Sequence, residues 1–371
     1  MAAMSALPSF VRPHTSFAQE IQPQPTPNED ETASIAKVAS DFMRDYKVPG
    51  LSVAIARHGQ FVYRNGFGRA DQNTRETVTP THLFRIASVT KPITSVAIFS
   101  LMEKGRLSLT DLIFGSNGLL QFDYGRKYDG RIERITLEHL LTHTCGGWGN
   151  TRNDPMFSNS AMGTKNLIQW TLKNIPLEEE PGTHYAYSNF GYCILGRVLE
   201  KITGQPYSDF VQQAVLSKCD IKDMRIAGNA LQERSPKEVI YYGNGDDPYG
   251  FNIRRMDSHG GWIATPSDLV QVLMHVDGFS YTPNILDKKT IAIMTTPSAV
   301  SASSHYAKGW AVNSAPNWWH VGSLPGSVTV VVRTASGLCW AAFTNTRTPG
   351  MEAALDQMMW KMVKSVPSWR A

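Results

Sequence analysis

Along this chain the spacing of hydrophobic positions changes several times, and each change marks an element. Ile35, Val38, Phe42 and Tyr46 fall on one face of a helix over residues 34–46, and Pro49-Gly50 stops it. Residues 51–56 are continuously apolar or small, as in a strand buried on both faces. His58-Gly59 then turns the chain, and Phe61-Val62-Tyr63 starts the return strand. From Ser88 to Met102 nearly every position is apolar or small, which predicts a helix buried all round and ended by Gly105. Residues 137–143 give a shorter helical pattern, followed by the turn Cys145-Gly146-Gly147. Residues 190–202 place Ile194, Val198 and Ile202 on one face before Gly204, and Thr265-Pro266-Ser267-Asp268 opens another helix with Thr265 or Ser267 as its cap. Near the end, Val-rich residues 327–333, the turn Ala335-Ser336-Gly337 and residues 339–344 read as a hairpin. Residues 351–366 form an amphipathic terminal helix carrying Met358, Met359 and Val363.

Helix and hairpin thus recur at both ends, with a mainly helical middle. The simplest assembly is an α+β fold: one antiparallel sheet built from both chain ends, flanked by the terminal helices, with a large helical insert on one side and a cleft between. On this reading residues 1–32 are a disordered tail or the remnant of a targeting segment, and residues 33–371 form one domain. Its α/β part covers about 33–85 and 305–371, and its helical part about 86–304.

Composition narrows the function classes. The 371 residues carry 36 Lys+Arg against 32 Asp+Glu, a net charge of +4 without a basic run, which argues against a nucleic-acid partner. No apolar run approaches the ~20 residues that span a bilayer. Four scattered cysteines, Cys145, Cys193, Cys219 and Cys339, have no metal-type spacing and read as structural free thiols. Ser16-Phe17-Ala18 is like a signal-peptidase site, but Pro8, Arg12, Pro13 and His14 break the apolar core such a segment needs. Localisation stays open: extracytoplasmic if the N-terminus derives from a signal peptide, cytoplasmic otherwise.

Three short elements carry candidate chemistry. Ser88-Val89-Thr90-Lys91 puts a hydroxyl and an amine one helical turn apart, where a buried lysine with a depressed pKa can accept the serine proton. N–H groups of the first helical turn can hold an oxyanion. Taken alone, Ser88 reads first as a helix N-cap, and Ser34-Ile35-Ala36-Lys37 repeats the spacing. In Tyr187-Ser188-Asn189 the phenol can shuttle a proton, while the amide can bond a substrate carbonyl or the lysine. Taken alone, Tyr187 is a core tyrosine at a helix start, and Tyr63-Arg64-Asn65 and Tyr242-Gly243-Asn244 share the pattern. His320-Val321-Gly322-Ser323 precedes the Val-rich strand. There Gly322 permits close approach of a substrate backbone, and the Ser323 N–H is a second oxyanion donor. His259-Gly260-Gly261 repeats that pattern, and His320 alone is also readable as an interfacial histidine bonded to a carbonyl. His139 and His143 have the i, i+4 spacing of a metal pair, but Leu140 stands where a zincin needs glutamate.

In this order the three elements resemble the serine β-lactamase and penicillin-binding-protein superfamily. The resemblance is closest to its class C β-lactamase, D-alanyl-D-alanine carboxypeptidase, D-aminopeptidase and family VIII carboxylesterase group. It extends over residues 33–366 through Phe84–Pro92, Leu137–Thr144, Pro181–Tyr192, Gly260-Gly261, Thr265–Leu269, Gly309-Trp310 and His320–Gly326. It implies Ser88 as the acylated nucleophile, Lys91 as its base, and Tyr187 as the group that exchanges a proton with the leaving group. It also implies Asn189 as a ligand of the acyl side-chain amide and of Lys91, and His320 at the third-motif position. No metal or organic cofactor is implied. The departure lies at that third motif, where class C β-lactamases carry Lys-Thr-Gly and this chain has His-Val-Gly. A mostly neutral histidine grips a carboxylate weakly. The expectation is a serine hydrolase of small esters or D-amino-acid-type amides. The alternatives are a slow β-lactamase, an acyltransferase, or a non-catalytic penicillin-binding or sensor module. The oligomeric state is left open.

Overall fold

The computed structural model describes residues 23–369. Ten strands are present among them: β1 (Gly50–Arg57), β2 (Gln60–Asp71), β3 (Glu76–Thr77), β4 (Phe84–Arg85), β5 (Arg225–Ile226), β6 (Trp262–Ala264), β7 (Ala311–Val312), β8 (Trp318–Leu324), β9 (Ser327–Arg333) and β10 (Leu338–Thr344). Seven form one antiparallel sheet in the order β3-β2-β1-β10-β9-β8-β7. The two chain ends therefore meet at its centre, where Leu51 pairs with Thr344 and Arg57 with Leu338.

Strand alternation sorts the core into two layers. Leu51, Val53, Ile55, Val330, Trp340 and Ala342 face α1 (Glu29–Tyr46) and the C-terminal helix Met351–Lys364, packing with Ile35, Phe42, Leu355 and Met359. Ala54, Ala56, Val331, Ala341 and Phe343 join the larger core of the helical body. The small residues of that face let the helix Pro266–Met274 pack onto β1 and β10. Asn345 ties the layers together: its Oδ1 accepts from Gly50 N at 2.7 Å, and its Nδ2 donates to Arg69 O and Ile240 O, both at 3.0 Å.

Several element ends differ from the sequence expectation. Helix α1 starts at Glu29 because Asn28 and Glu31 form a reciprocal capping box, so residues 29–32 belong to the helix and not to a tail. The possible targeting segment, residues 1–22, lies outside the described residues. The helical part is interrupted by a second sheet, β4-β6-β5, too short to show a period of two in the sequence. Helix α2 (Thr90–Met102) begins after Ser88, which lies in a 3₁₀ turn, Ala87–Val89. Thr265 is the cap of Pro266–Met274, accepting from Asp268 N at 3.1 Å.

Gly322 has a different use from the one its sequence suggested. A Cβ there would collide with the Ile86 carbonyl oxygen and Thr329 Oγ1, and would come within 3.1 Å of Ala87 Cβ. The glycine lets Ile86 and Ala87 press onto β8. Gly322→Ala is expected to destabilise the fold by about 1–3 kcal/mol, since overpacking moves backbone. Gly130→Ala, where the nearest atom is 3.5 Å away, is expected to stay within about 0.5 kcal/mol. Urea unfolding of both variants measures the contrast.

Candidate active site

Between His82 and Leu101 every residue is buried except Ser88, which is partly exposed. The segment leading to it is fixed by backbone contacts from both sheets. Tyr241 Oη accepts from Arg85 N at 2.8 Å, Ser327 Oγ donates to Arg85 O at 2.7 Å, and Thr329 Oγ1 donates to Ile86 O at 2.9 Å. Ile86 N in turn donates to Trp262 O at 2.9 Å. These bonds hold Ala87 at φ 49°, an unfavourable region for a residue with a Cβ, and so present Ser88 at the mouth of α2.

Lys91 lies one turn on and is fully buried. Its Nζ is 3.0 Å from Ser88 Oγ, 2.7 Å from Asn189 Oδ1 and 3.2 Å from the His259 carbonyl oxygen. The rings of Tyr187 and Tyr192 flank it, 4.6 Å and 5.7 Å from Nζ. Burial drives its pKa well below the usual lysine value, against the weaker opposing attraction of Asp154. A neutral amine has two N–H groups and one lone pair. Asn189 Oδ1 and the His259 carbonyl can only accept, so in that form they take both hydrogens and leave the lone pair to face the Ser88 hydroxyl. That is the geometry of a general base.

Ser188 caps the helix Asn189–Thr203, its Oγ accepting from Gly191 N at 3.0 Å and donating to Trp148 O at 2.8 Å. This cap sets the start of the helix, so that Asn189 points at Lys91 and Tyr187 lies just outside. The Tyr187 phenol is buried beside Ser88; burial raises its pKa strongly, and the Ser88 hydroxyl lowers it only in part. The Asn189 amide is oriented from its other side, where Nδ2 donates to Asp154 Oδ2 at 2.6 Å. Asp154 also accepts from Met156 N at 2.9 Å, and burial raises its pKa. Its loop is held by Arg255, which donates to the carbonyls of Asn159 and Met156, each at 2.7 Å.

On the opposite wall, β7 covers only Trp318 and Trp319 of β8, leaving His320–Leu324 as an edge against the Ser88 turn. The β8–β9 hairpin closes on Leu324 and Ser327, and hydrogen-bonded pairs alternate from there. The Ser323 N–H therefore points to the open edge. Its hydroxyl points the other way and donates to Glu352 Oε1 at 2.7 Å. His320 is buried, with Nδ1 2.8 Å from the Val321 carbonyl and Nε2 3.1 Å from Tyr306 Oη. A carbonyl only accepts, so Nδ1 carries the proton and Tyr306 donates to Nε2. Burial pulls the His320 pKa down to about 3. The third-motif position thus holds a neutral imidazole already engaged with a tyrosine.

Ser88, Lys91, Tyr187 and Asn189 are thus brought into one connected group, with β8 opposite. Gly322 and the Ser323 side chain do not face the cleft; Gly322 supports Ile86 and Ser323 contributes its backbone. Of the repeated patterns, Ser34 is on exposed α1 and Tyr63 on β2, whereas His259 does enter the site, through its carbonyl oxygen. Asp154 and Tyr306 were missed. Neither lies at a motif spacing, and the one available signal is the turn-forming Asp154-Pro155 step.

Comparisons with known proteins agree with this architecture. Protein flp of Staphylococcus aureus (strain N315) is 28% identical over 187 residues, covering 50% of this chain and 36% of that protein. Penicillin-binding protein 4* of Bacillus subtilis (strain 168) is 24% identical over 315 residues, covering 76% of this chain and 64% of that protein. The matches thus span between about a third and two thirds of the length of these curated relatives. Among solved structures, the D-amino acid amidase from Ochrobactrum anthropi SV3 in complex with L-phenylalanine amide superposes with a TM-score of 0.75 at 21% identity. That match covers 92% of this chain and 100% of the amidase, and it is a likeness of fold. The beta-lactamase family model matches residues 35–360, nearly the whole of the described chain, and this protein belongs to the beta-lactamase family.

Proposed function

We propose that this protein is a serine hydrolase that acts through an acyl-enzyme on small esters or D-amino-acid-type amides. The observation that carries the reading is the Lys91 amine, buried, 3.0 Å from Ser88 Oγ, with two further acceptors, Asn189 Oδ1 and the His259 carbonyl oxygen, at 2.7 and 3.2 Å. Ser88 Oγ attacks the substrate carbonyl as its proton passes to Lys91 Nζ. The N–H groups of Ser88 and Ser323 stabilise the oxyanion. Tyr187, beside Ser88, passes a proton to the leaving group, and a water then releases the acyl group by the reverse transfers. Asn189 orients Lys91 and offers its amide to the acyl side chain.

Substrates without a free carboxylate at the third-motif position suit the neutral His320. A permanent ammonium there is what a β-lactam carboxylate calls for, and His320 supplies none. The D-amino acid amidase among the structural neighbours supports an amide substrate by analogy of fold.

Hydrolysis of p-nitrophenyl butyrate by wild type and by Ser88→Ala tests this reading. The expected loss in the variant is about 10³-fold or more, the scale seen when a nucleophile is removed. Intact mass after incubation with benzylpenicillin is expected to show slow, incomplete acylation. Rapid stoichiometric acylation without ester turnover would instead mark a penicillin-binding module.

Activity is expected to rise with pH along one limb as Lys91 loses its proton, with a midpoint below the ordinary lysine value of 10.5. The midpoint belongs to the coupled Lys91–Tyr187 pair. Lys91→Arg is expected to be inactive at every pH, because a guanidinium does not deprotonate. A flat wild-type profile from acid to alkali would remove lysine as the base.

A further inference from the structure

We propose that His143 is the positioning residue of Tyr187: it grips the backbone on both sides of the tyrosine and packs against its ring. This rests on the function proposed above. His143 follows the short helix Leu137–Leu141 and is buried. Its carbonyl oxygen accepts from Ala186 N at 2.8 Å, and its Nδ1 accepts from Ser188 N at 3.1 Å. The amides immediately before and after Tyr187 are thus bonded to one residue. The imidazole centroid lies 4.2 Å from that of Tyr187, and 4.6 Å and 5.1 Å from those of Tyr306 and Tyr192. Together these contacts fix both the peptide plane and the ring face of the proposed proton shuttle.

The chemistry of the imidazole separates positioning from proton transfer. Because Nδ1 accepts from an amide, the proton sits on Nε2, which is buried without a hydrogen-bond partner among the described residues. Tyrosine rings surround it. Burial holds the His143 pKa well below its ordinary value, so the ring stays neutral in the working range. The groups facing it that can titrate are Lys91, Tyr185, Tyr187, Tyr192, Tyr306 and His320. A neutral ring enclosed in this way is fitted to hold a neighbour rather than to exchange protons. The backbone adds a second demand. His143 sits at φ 59°, in the left-handed region, where asparagine is tolerated better than most residues.

Two substitutions divide these roles. His143→Asn keeps an acceptor near the Nδ1 position and suits the left-handed backbone. His143→Phe keeps the ring contact but leaves the Ser188 N–H unaccepted. In ester hydrolysis, His143→Phe is expected to lower kcat by about 10–100-fold with KM changed less than about threefold, the signature of impaired proton transfer. Its alkaline limb is expected to move, because the Lys91–Tyr187 pair is no longer held in register. His143→Asn is expected to recover most of kcat and the wild-type limb. Labelling of Ser88 by a fluorophosphonate, read by intact mass, together with thermal unfolding, confirms that each variant is folded with its nucleophile in place. If His143→Phe does not fold, His143→Gln replaces it, since its amide reaches the Nε2 position and not Nδ1. The inference is overturned if the acceptor-lacking variant keeps wild-type kcat and pH profile. It is also overturned if both variants lose activity only in proportion to their unfolded fraction. Wild-type protein that neither labels at Ser88 nor turns over ester would overturn the hydrolase reading, and this inference with it. Labelling and turnover in the wild type with an indifferent His143→Phe would overturn the inference alone.

Discussion

Everything at this site depends on keeping one amine uncharged. An ammonium taken out of water without a facing carboxylate is costly by several kcal/mol, and the cheaper course is to release the proton. Lys91 is placed so that this course is favoured: it projects from a helix buried on every side, and its nearest neighbours are aromatic faces, an amide oxygen, a carbonyl and the Ser88 hydroxyl. Asp154 is close enough to work against it, yet its carboxylate is bonded to the Asn189 amide, so it acts on the lysine chiefly by fixing that amide. The same burial lets the unfolded chain hold more protons than the native one between the lowered native pKa and 10.5. The lysine's contribution to stability therefore improves as pH rises through that window, and is least favourable once pH falls below the native value.

The second requirement is a serine that stays accessible while its neighbours do not. The sheet meets it by holding the preceding backbone from Ser327 and Thr329 of β9 and by bringing β8 against Ile86 at a position with no side chain. Ala87 keeps its positive φ because these contacts over-determine it. The strain sits one residue before Ser88, and the β9 residues that support it lie more than 200 positions away in the chain.

Much of this was legible in the sequence, for identifiable reasons. Long elements with a strong period, such as α2, the helix Asn189–Thr203 and the β9–β10 hairpin, show their burial in their patterning, and Ser88, Lys91, Tyr187 and Asn189 lie at motif spacings. Family resemblance put those motifs in one site, and the match over residues 35–360 shows that family. Less legible was anything set by approach between distant segments. Gly322 was read as room for a substrate, because the Ile86 carbonyl that fills the space belongs to another part of the chain. Asp154 and Tyr306 touch the site through loops without a period. Ser88 was placed at the start of a helix, whereas the contacts on residues 85–87 turn it into a 3₁₀ turn before α2.

The Asn345 hub has a consequence for how the molecule comes into being. It joins β10 to Gly50 across 295 positions of sequence, and the strand pairing beside it is equally remote. Contacts of such separation form late, because the entropy of closing so long a loop must be met before the pairing is rewarded. Lys91 and Ser88 are only three residues apart in sequence, so little loop entropy opposes their approach. The wall that carries the Ser323 amide hangs from β9 and β10 and must await the closing of the ring. A chain caught before that closure would lack the β8 edge and also the β9 contacts that hold the Ser88 turn: both walls of the cleft are completed by the joining of the ends.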